Sequence, residues 1–181
     1  MNIAGINYES INDGEGVRTV IYVSGCSHKC PNCHNQQTHD ANYGVKLTDE
    51  LQEDIINNIK KRPFISGVTF SGGDPLYNKN VYDVYNFIQN LKVQFPDKSI
   101  WLYTGYTWEQ IFYPIVIDDF NLKIDKITDC RRSIVEMCDV LVDGRYIEEE
   151  KDLTLKFTGS RNQMVINVQK TIETGEIVLW Q

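Results

Sequence analysis

Arg18-Thr-Val-Ile-Tyr-Val-Ser24 is a dense β-branched and aromatic run, and Gly25-Cys26-Ser-His-Lys-Cys30-Pro-Asn-Cys33 follows it directly. A run of this composition closed by glycine reads as a strand, and the three cysteines then occupy the loop at its carboxyl end. The same unit recurs. Val68–Ser71 (VTFS) leads into Gly72-Gly73-Asp74, Ile100–Thr104 (IWLYT) into Gly105, and Asp139–Val142 (DVLV) into Asp143-Gly144-Arg145. Met164–Val168 (MVINV) and Glu176–Trp180 (EIVLW) bring the predicted strands to six.

Helical periodicity fills the gaps. Thr48–Lys61 places Leu51, Ile55, Ile56 and Ile59 on one face, with Asp49 and Glu50 at its start and Lys60 and Lys61 at its end, as the helix dipole favours. Asn80–Gln94 repeats the pattern with Val81, Val84, Tyr85, Ile88 and Leu91, and Thr107-Trp-Glu-Gln110 has the spacing of a capping box. Strand and helix in alternation predict βαβ units with right-handed crossovers, hence an open α/β sheet or an incomplete barrel. Eight such units need about 250 residues, more than the 181 present. Phe112–Arg132 has no regular pattern, and Thr171–Gly175 (TIETG) is short enough for a hairpin that would make the C-terminal edge antiparallel.

Composition narrows the function. A length of 181 residues with 41% hydrophobic and 24% charged residues suits one globular domain over residues 1–181. The net charge of -7, from 18 basic against 25 acidic residues, opposes sequence-independent nucleic-acid binding. No apolar run reaches the roughly 18–20 residues that span a bilayer. The start, MNIAGINYES, has no export signal, so a cytoplasmic chain without membrane contact is expected.

The cysteines carry the chemistry. Five are present, at 26, 30, 33, 130 and 138, an odd number in a chain without an export signal, which points to metal or redox chemistry rather than a disulfide framework. Three thiolates in one tight loop repel unless a cation unites them. Zinc would need a fourth ligand from His28, His34 or His39, whose ordinary role is that of exposed loop residues; a four-iron cluster held by three cysteines would leave one iron open. Cys138, at the start of an apolar strand, reads as a small core residue, and Cys130 as undecided. Loops at the carboxyl ends of parallel strands share one face, so the cysteine loop, Gly72-Gly73-Asp74, Thr104-Gly105 and Asp143-Gly144-Arg145 should ring one cavity. Thr104 and Asp143 are therefore candidate ligand contacts, with an Asp-Gly turn the plain alternative for Asp143. Gly14-Glu-Gly16 lacks a third glycine and precedes a strand, so it reads as a turn and not a dinucleotide fingerprint. Tyr77, Trp108, Phe112 and Tyr113 are divided between core packing and a docking surface.

Cys26, Cys30 and Cys33 reproduce the Cys-x3-Cys-x2-Cys signature of radical S-adenosylmethionine enzymes. The resemblance extends through Gly14–Val20 (GEGVRTV), Thr69–Leu76 (TFSGGDPL), Asp139–Gly144 (DVLVDG) and Gly159–Gln163 (GSRNQ), from about residue 3 to about residue 168. Together these motifs resemble the activating proteins of anaerobic (class III) ribonucleoside-triphosphate reductases. The resemblance implies an incomplete β/α barrel of the radical SAM type, with about six mostly parallel strands. It implies a [4Fe-4S] cluster on Cys26, Cys30 and Cys33 that reduces S-adenosylmethionine to methionine and a 5'-deoxyadenosyl radical. Gly72, Gly73 and Asp74 would bind the amino group of that cofactor, and Asn32, Cys33 and His34 its adenine side. Asn32 stands where the superfamily usually has an aromatic residue, and Asp74 where it more often has Glu. The implied product is a glycyl radical on the large reductase subunit, with an electron donor such as flavodoxin. A pyruvate formate-lyase type activase shares the cluster; a zinc or simple iron–sulfur module would leave the Gly72-Gly73-Asp74 loop without a use.

Overall fold

Apolar runs buried on both faces form the centre of one sheet. The computed structural model describes residues 1–113 and 125–181. Within them follow β1 (Asn2–Ser10), β2 (Arg18–Val23), β3 (Val45–Lys46), α1 (Asp49–Lys60), β4 (Gly67–Gly72), α2 (Val81–Gln94), β5 (Ser99–Tyr103), α3 (Trp108–Phe112), α4 (Lys126–Glu136), β6 (Val140–Asp143), β7 (Met164–Asn167) and α5 (Val168–Thr174). The strands form a mixed, open sheet in the order β3-β1-β2-β4-β5-β6-β7. β2, β4, β5 and β6 are parallel, while β1, β3 and β7 pair antiparallel. The sheet thus has seven strands where six were expected, and only its centre is parallel.

The sheet's two faces are covered differently. Strand alternation sends Val68 and Phe70 of β4, and Ile100 and Leu102 of β5, toward a core shared with Ile59 of α1, Phe87 of α2 and Ile134 of α4. The intervening Trp101 packs on the opposite face with Val140, Val142, Phe157 and Trp180. The caps follow the sequence. Thr48 accepts from the Leu51 amide at the start of α1, and Thr107 with Gln110 forms a reciprocal capping box on α3.

Three segments depart from the sequence reading. β1 was not anticipated because irregular register between Ile3 and Gly5, and again between Asn7 and Ser10, breaks the two-residue period. α4 lies partly in the stretch without a pattern, where residues 114–124 are outside the described residues; Asp125 caps it by accepting from the Ile127 and Thr128 amides. The expected hairpin at Thr171–Gly175 is the end of α5, which Asn167 caps and Gly175 terminates in the left-handed region at φ 75°. Beyond it the expected strand Glu176–Trp180 makes one antiparallel bridge, Ile166 to Leu179. The C-terminal edge is antiparallel through β6 and β7 instead.

The end of the sheet remote from the cysteines is tied by Arg18, whose side chain is fully buried. Its guanidinium donates to Thr69 Oγ1, Glu15 O, Ser99 Oγ, Val68 O and Ser99 O at 2.8–3.2 Å and lies 5.2 Å from the Trp101 ring. Burial pulls its pKa down to about 10. One side chain therefore joins β2, β4, β5 and the Gly14–Gly16 turn. Arg18→Ala should lower the unfolding free energy by about 3 kcal/mol, because buried acceptors lose their donor and a cavity remains. Arg18→Lys should recover only part of the loss, since an ammonium lacks the fork. Urea unfolding followed by tryptophan fluorescence measures both, and an Ala variant with an unchanged midpoint would refute the tie.

Candidate metal and cofactor centre

The carboxyl ends of β2, β4, β5 and β6 lie side by side, and their loops meet. A cavity of about 120 Å³ is lined by Cys26, Cys30 and Cys33 from the first loop, Gly72 and Gly73 from the second, Thr104 and Gly105 from the third, and Gly144 and Arg145 from the fourth. His28, His39, Ser71, Tyr103, Tyr146 and Gln163 complete the wall. It adjoins a second cavity of about 380 Å³, which shares Cys33, Tyr103, Tyr146 and Gln163 and includes Asn32 and His34.

The first two loops are clasped backbone to backbone. Gly73 N donates to Val23 O at 2.7 Å, Asp74 N to Gly25 O at 2.8 Å, and Gly25 N to Thr38 O at 2.7 Å. A Cβ on Gly73 would stand 2.7 Å from Gly25 O and 2.9 Å from Thr38 O, both backbone atoms, so only glycine fits. Buried Asn80 seals the joint by donating to Ser24 O and Asp74 O. Asn80 was not singled out in the sequence, where it reads as the start of a helix.

Asp74 is 1% exposed. Oδ1 accepts from Leu76 N and Thr104 Oγ1 at 2.8 and 2.9 Å, and Oδ2 accepts from Gly105 N at 3.2 Å. His28 Nε2 lies 2.8 Å from Oδ2, within ion-pair distance but out of line for a hydrogen bond. His28 is thus no exposed loop residue: its side chain is 4% exposed and its ring meets Tyr106 edge-on at 4.6 Å. His39 also faces the cysteine cavity, with Nε2 buried and unpartnered.

Burial raises the Cys26 thiol to about 11, assisted by the nearby Asp74 carboxylate and opposed by the His28 and Lys29 amides. Burial also raises Cys30, opposed by the Tyr146 amide and the Arg145 guanidinium. Lys29 and Asn32 take left-handed φ values of 49° and 54°, which turn the loop before Cys30 and before Cys33. Asn is among the few L residues that tolerate this region, a physical reason for Asn rather than an aromatic residue at 32.

The three cysteines share one cavity wall, and a four-iron cluster would take each thiolate at a different iron, whereas a structural zinc ion would need a fourth ligand at the same point. The orphaned nitrogens of His28 and His39 mark the same cavity as lacking polar partners.

Other sequence candidates are placed elsewhere. Asp143 is 1% exposed and does not line the cavity; it accepts from Trp108 N at 2.9 Å and Met164 N at 3.1 Å, so it joins α3, β6 and β7. The Asp-Gly turn is its role here, and burial raises its carboxyl above the ordinary range. Cys138 is buried in the core, and Cys130 packs partly buried beside α2, its Sγ donating to Val81 O at 3.6 Å. Trp108 and Phe112 stack at 4.0 Å and Tyr77 packs by Gly25, which leaves Tyr113 exposed among the four aromatic residues considered for docking. Tyr103 and Tyr146 are wall residues not singled out in the sequence, and Gln163, part of the quoted Gly159–Gln163 motif, reaches this end of the sheet through the reversal of β7. Among the described residues no helix is long and apolar enough to cross a membrane.

Known proteins align over the same span. A family model described as a 4Fe-4S single cluster domain matches residues 12–166. The anaerobic ribonucleoside-triphosphate reductase-activating protein of Haemophilus influenzae is 38% identical over 154 residues, covering 84% of this chain and 89% of its own. The protein of the same name from Escherichia coli K12 is 35% identical, covering 86% and 91%, and that from enterobacteria phage T4 is 34% identical, covering 87% and 92%. With this identity over nearly the full length of each relative, the chain belongs to the family of anaerobic ribonucleoside-triphosphate reductase-activating proteins, built on a 4Fe-4S single cluster domain.

Proposed function

We propose that the chain is a radical S-adenosylmethionine activase whose protein substrate is the large subunit of anaerobic ribonucleoside-triphosphate reductase. The observation that carries the reading is the single cavity lined by Cys26, Cys30 and Cys33, Gly72 and Gly73, and Thr104 and Gly105, with Asp74 buried behind that lining and bonded to Thr104 and Gly105. Cys26, Cys30 and Cys33 would hold a [4Fe-4S] cluster with one open iron. When bound and reduced by a donor of the flavodoxin type, such a cluster would supply the one-electron chemistry for reductive cleavage of S-adenosylmethionine, with a glycine of the partner as the hydrogen donor. The open α/β sheet is read as a partial barrel of the radical SAM type.

The chain's own residues bind and orient. The Gly73 clasp brings the backbone of the second loop against the first, so a ligand's amino group meets Asp74 at a fixed distance from the cysteines. That ammonium competes with His28 for Asp74, since the imidazole occupies the open side of the carboxylate. Thr104 and Gly105 hold the carboxylate from behind and make it an acceptor of fixed direction. Asn32, Cys33 and His34 border the larger cavity, where the adenine would lie.

After anaerobic loading with iron and sulfide and reduction by dithionite, the chain should convert S-adenosylmethionine to 5'-deoxyadenosine. Cys30→Ala should lose both cluster and cleavage. Gly73→Ala should keep the cysteines but reduce cleavage about 10-fold or more, a barrier increase of at least ~1.4 kcal/mol. A fully loaded wild type that leaves the cofactor intact, even with the reductase present, would overturn the proposal. In the metal-free chain, alkylation at Cys26 should accelerate about 10-fold per pH unit between pH 7 and 10, because a thiol titrating at about 11 gains thiolate at that rate below its pKa. Peptide mass mapping measures it, with buried Cys138 staying unlabelled; a pH-independent rate at Cys26 would contradict its burial.

A further inference from the structure

Arg131 of α4 has no part in the reading above, yet it joins the two loops that hold Asp74. Its Nε donates to Leu76 O at 2.9 Å, and one terminal nitrogen donates to Asn78 Oδ1 and, at 2.7 Å, to the Tyr106 hydroxyl. The guanidinium also lies 4.1 Å from the centre of the Tyr106 ring. One planar fork thus grips the loop after β4 at Leu76 and Asn78, and the loop after β5 at Tyr106.

Both grips lead directly to the carboxylate. Leu76, whose carbonyl Arg131 holds, donates its own amide to Asp74 Oδ1 at 2.8 Å. Tyr106 N donates to Thr104 Oγ1 at 3.2 Å, which occupies a lone pair of that oxygen and leaves its proton for Asp74 Oδ1 at 2.9 Å. Gly105 N, between them, donates to Oδ2. The three donors therefore sit on two separate loops, and the carboxylate keeps one direction only while those loops keep one spacing. Arg131 bridges them from outside the cavity, whose lining includes neither Arg131 nor Tyr106.

We propose that Arg131 is a positioning residue for recognition of the cofactor's amino group: by fixing Leu76 relative to Tyr106 it aims the Asp74 carboxylate. The inference rests on the reading of Asp74 as the acceptor for that ammonium. An arginine that only stabilised the fold would, when removed, weaken every ligand of the cavity alike. An arginine that aims Asp74 confines the loss to ligands that carry the amino group.

The test is equilibrium binding by the anaerobically loaded full chain, with iron counted in each sample. The probes are S-adenosylhomocysteine and its deamino analogue, which keeps the adenosine and the carboxylate. Arg131→Met, which retains an apolar stem but no donor, should weaken S-adenosylhomocysteine about 10-fold, the size of one lost charge-assisted hydrogen bond, and the analogue less than about 2-fold. Arg131→Lys should recover only part of the loss, since an ammonium lacks the fork that reaches both loops. In an Asp74→Asn background Arg131→Met should cost less than in the wild type, because it acts through Asp74. Should Arg131→Met fail to fold or to load iron, Tyr106→Phe, which removes only the hydroxyl that Arg131 holds, replaces it with the same selective loss expected. Loaded variants that lose both ligands equally, or neither, would overturn the positioning role. A wild-type chain that binds the two ligands equally tightly would instead defeat the reading of Asp74 as an ammonium acceptor, so the two failures are separable.

Discussion

The site face is organised by three short backbone hydrogen bonds, two that clasp the cysteine loop to the glycine-rich loop and one that folds the cysteine-bearing segment back on itself. Val23 and Gly72 are register partners on adjacent parallel strands, so the two chains leave the sheet at the same height. Gly73 N to Val23 O, Asp74 N to Gly25 O and Gly25 N to Thr38 O then hold the loops in van der Waals contact. Such contact leaves no room for a Cβ at 73. It also fixes the start of the cysteine loop while Cys30 and Cys33, beyond the clasp, are set by the left-handed turns at Lys29 and Asn32. A rigid root with a tightly turned tip lets three sulfurs face one cavity without a metal drawing them to a point.

The clasp determines how Asp74 is used. A carboxylate buried to 1% exposure needs donors for its lone pairs. Leu76 N, Thr104 Oγ1 and Gly105 N supply three, from β4's own loop and from the loop of β5. The remaining direction faces the cysteine loop, and there the His28 imidazole approaches to 2.8 Å. A buried carboxylate whose remaining side is held by an imidazole can receive a cation there when the imidazole gives way. This favours a positively charged ligand group in the cavity, as the proposed activity requires.

The parallel centre of the sheet was legible because β2, β4, β5 and β6 are buried on both faces, which demands unbroken apolar runs. α1 to α3 were legible from caps and one-sided periodicity. The edges were not. In β1 the bulges displace the alternation, and in α5 the β-branched Val168, Thr171 and Ile172 favour strand locally while the Asn167 cap, Gly175 and packing against the sheet enforce a helix. For the site, loop order after parallel strands placed Cys26, Cys30, Cys33, Gly72, Gly73 and Thr104 on one cavity correctly. The burial of His28, the structural use of Asp143 and the wall position of Gln163 depend on long-range contacts that local pattern does not encode.

The two faces of the sheet are packed differently. Among the described residues α1, α2 and α4 pack on one face, and on the other Phe157 and Trp180 meet Trp101 edge-on at 5.0 and 5.6 Å. Phe157 reaches that position from a backbone at φ 66°, a conformation costing roughly 1–2 kcal/mol for a bulky residue. Its burial against Trp101 offsets this strain. Around these inserts the cysteine cavity and its neighbours share walls: Ser71 with the space beside Asp13, and Tyr103 with the spaces beside Phe157. Tyr103 thus stands in the wall that three of these spaces have in common, between the cysteines and the inserted Phe157.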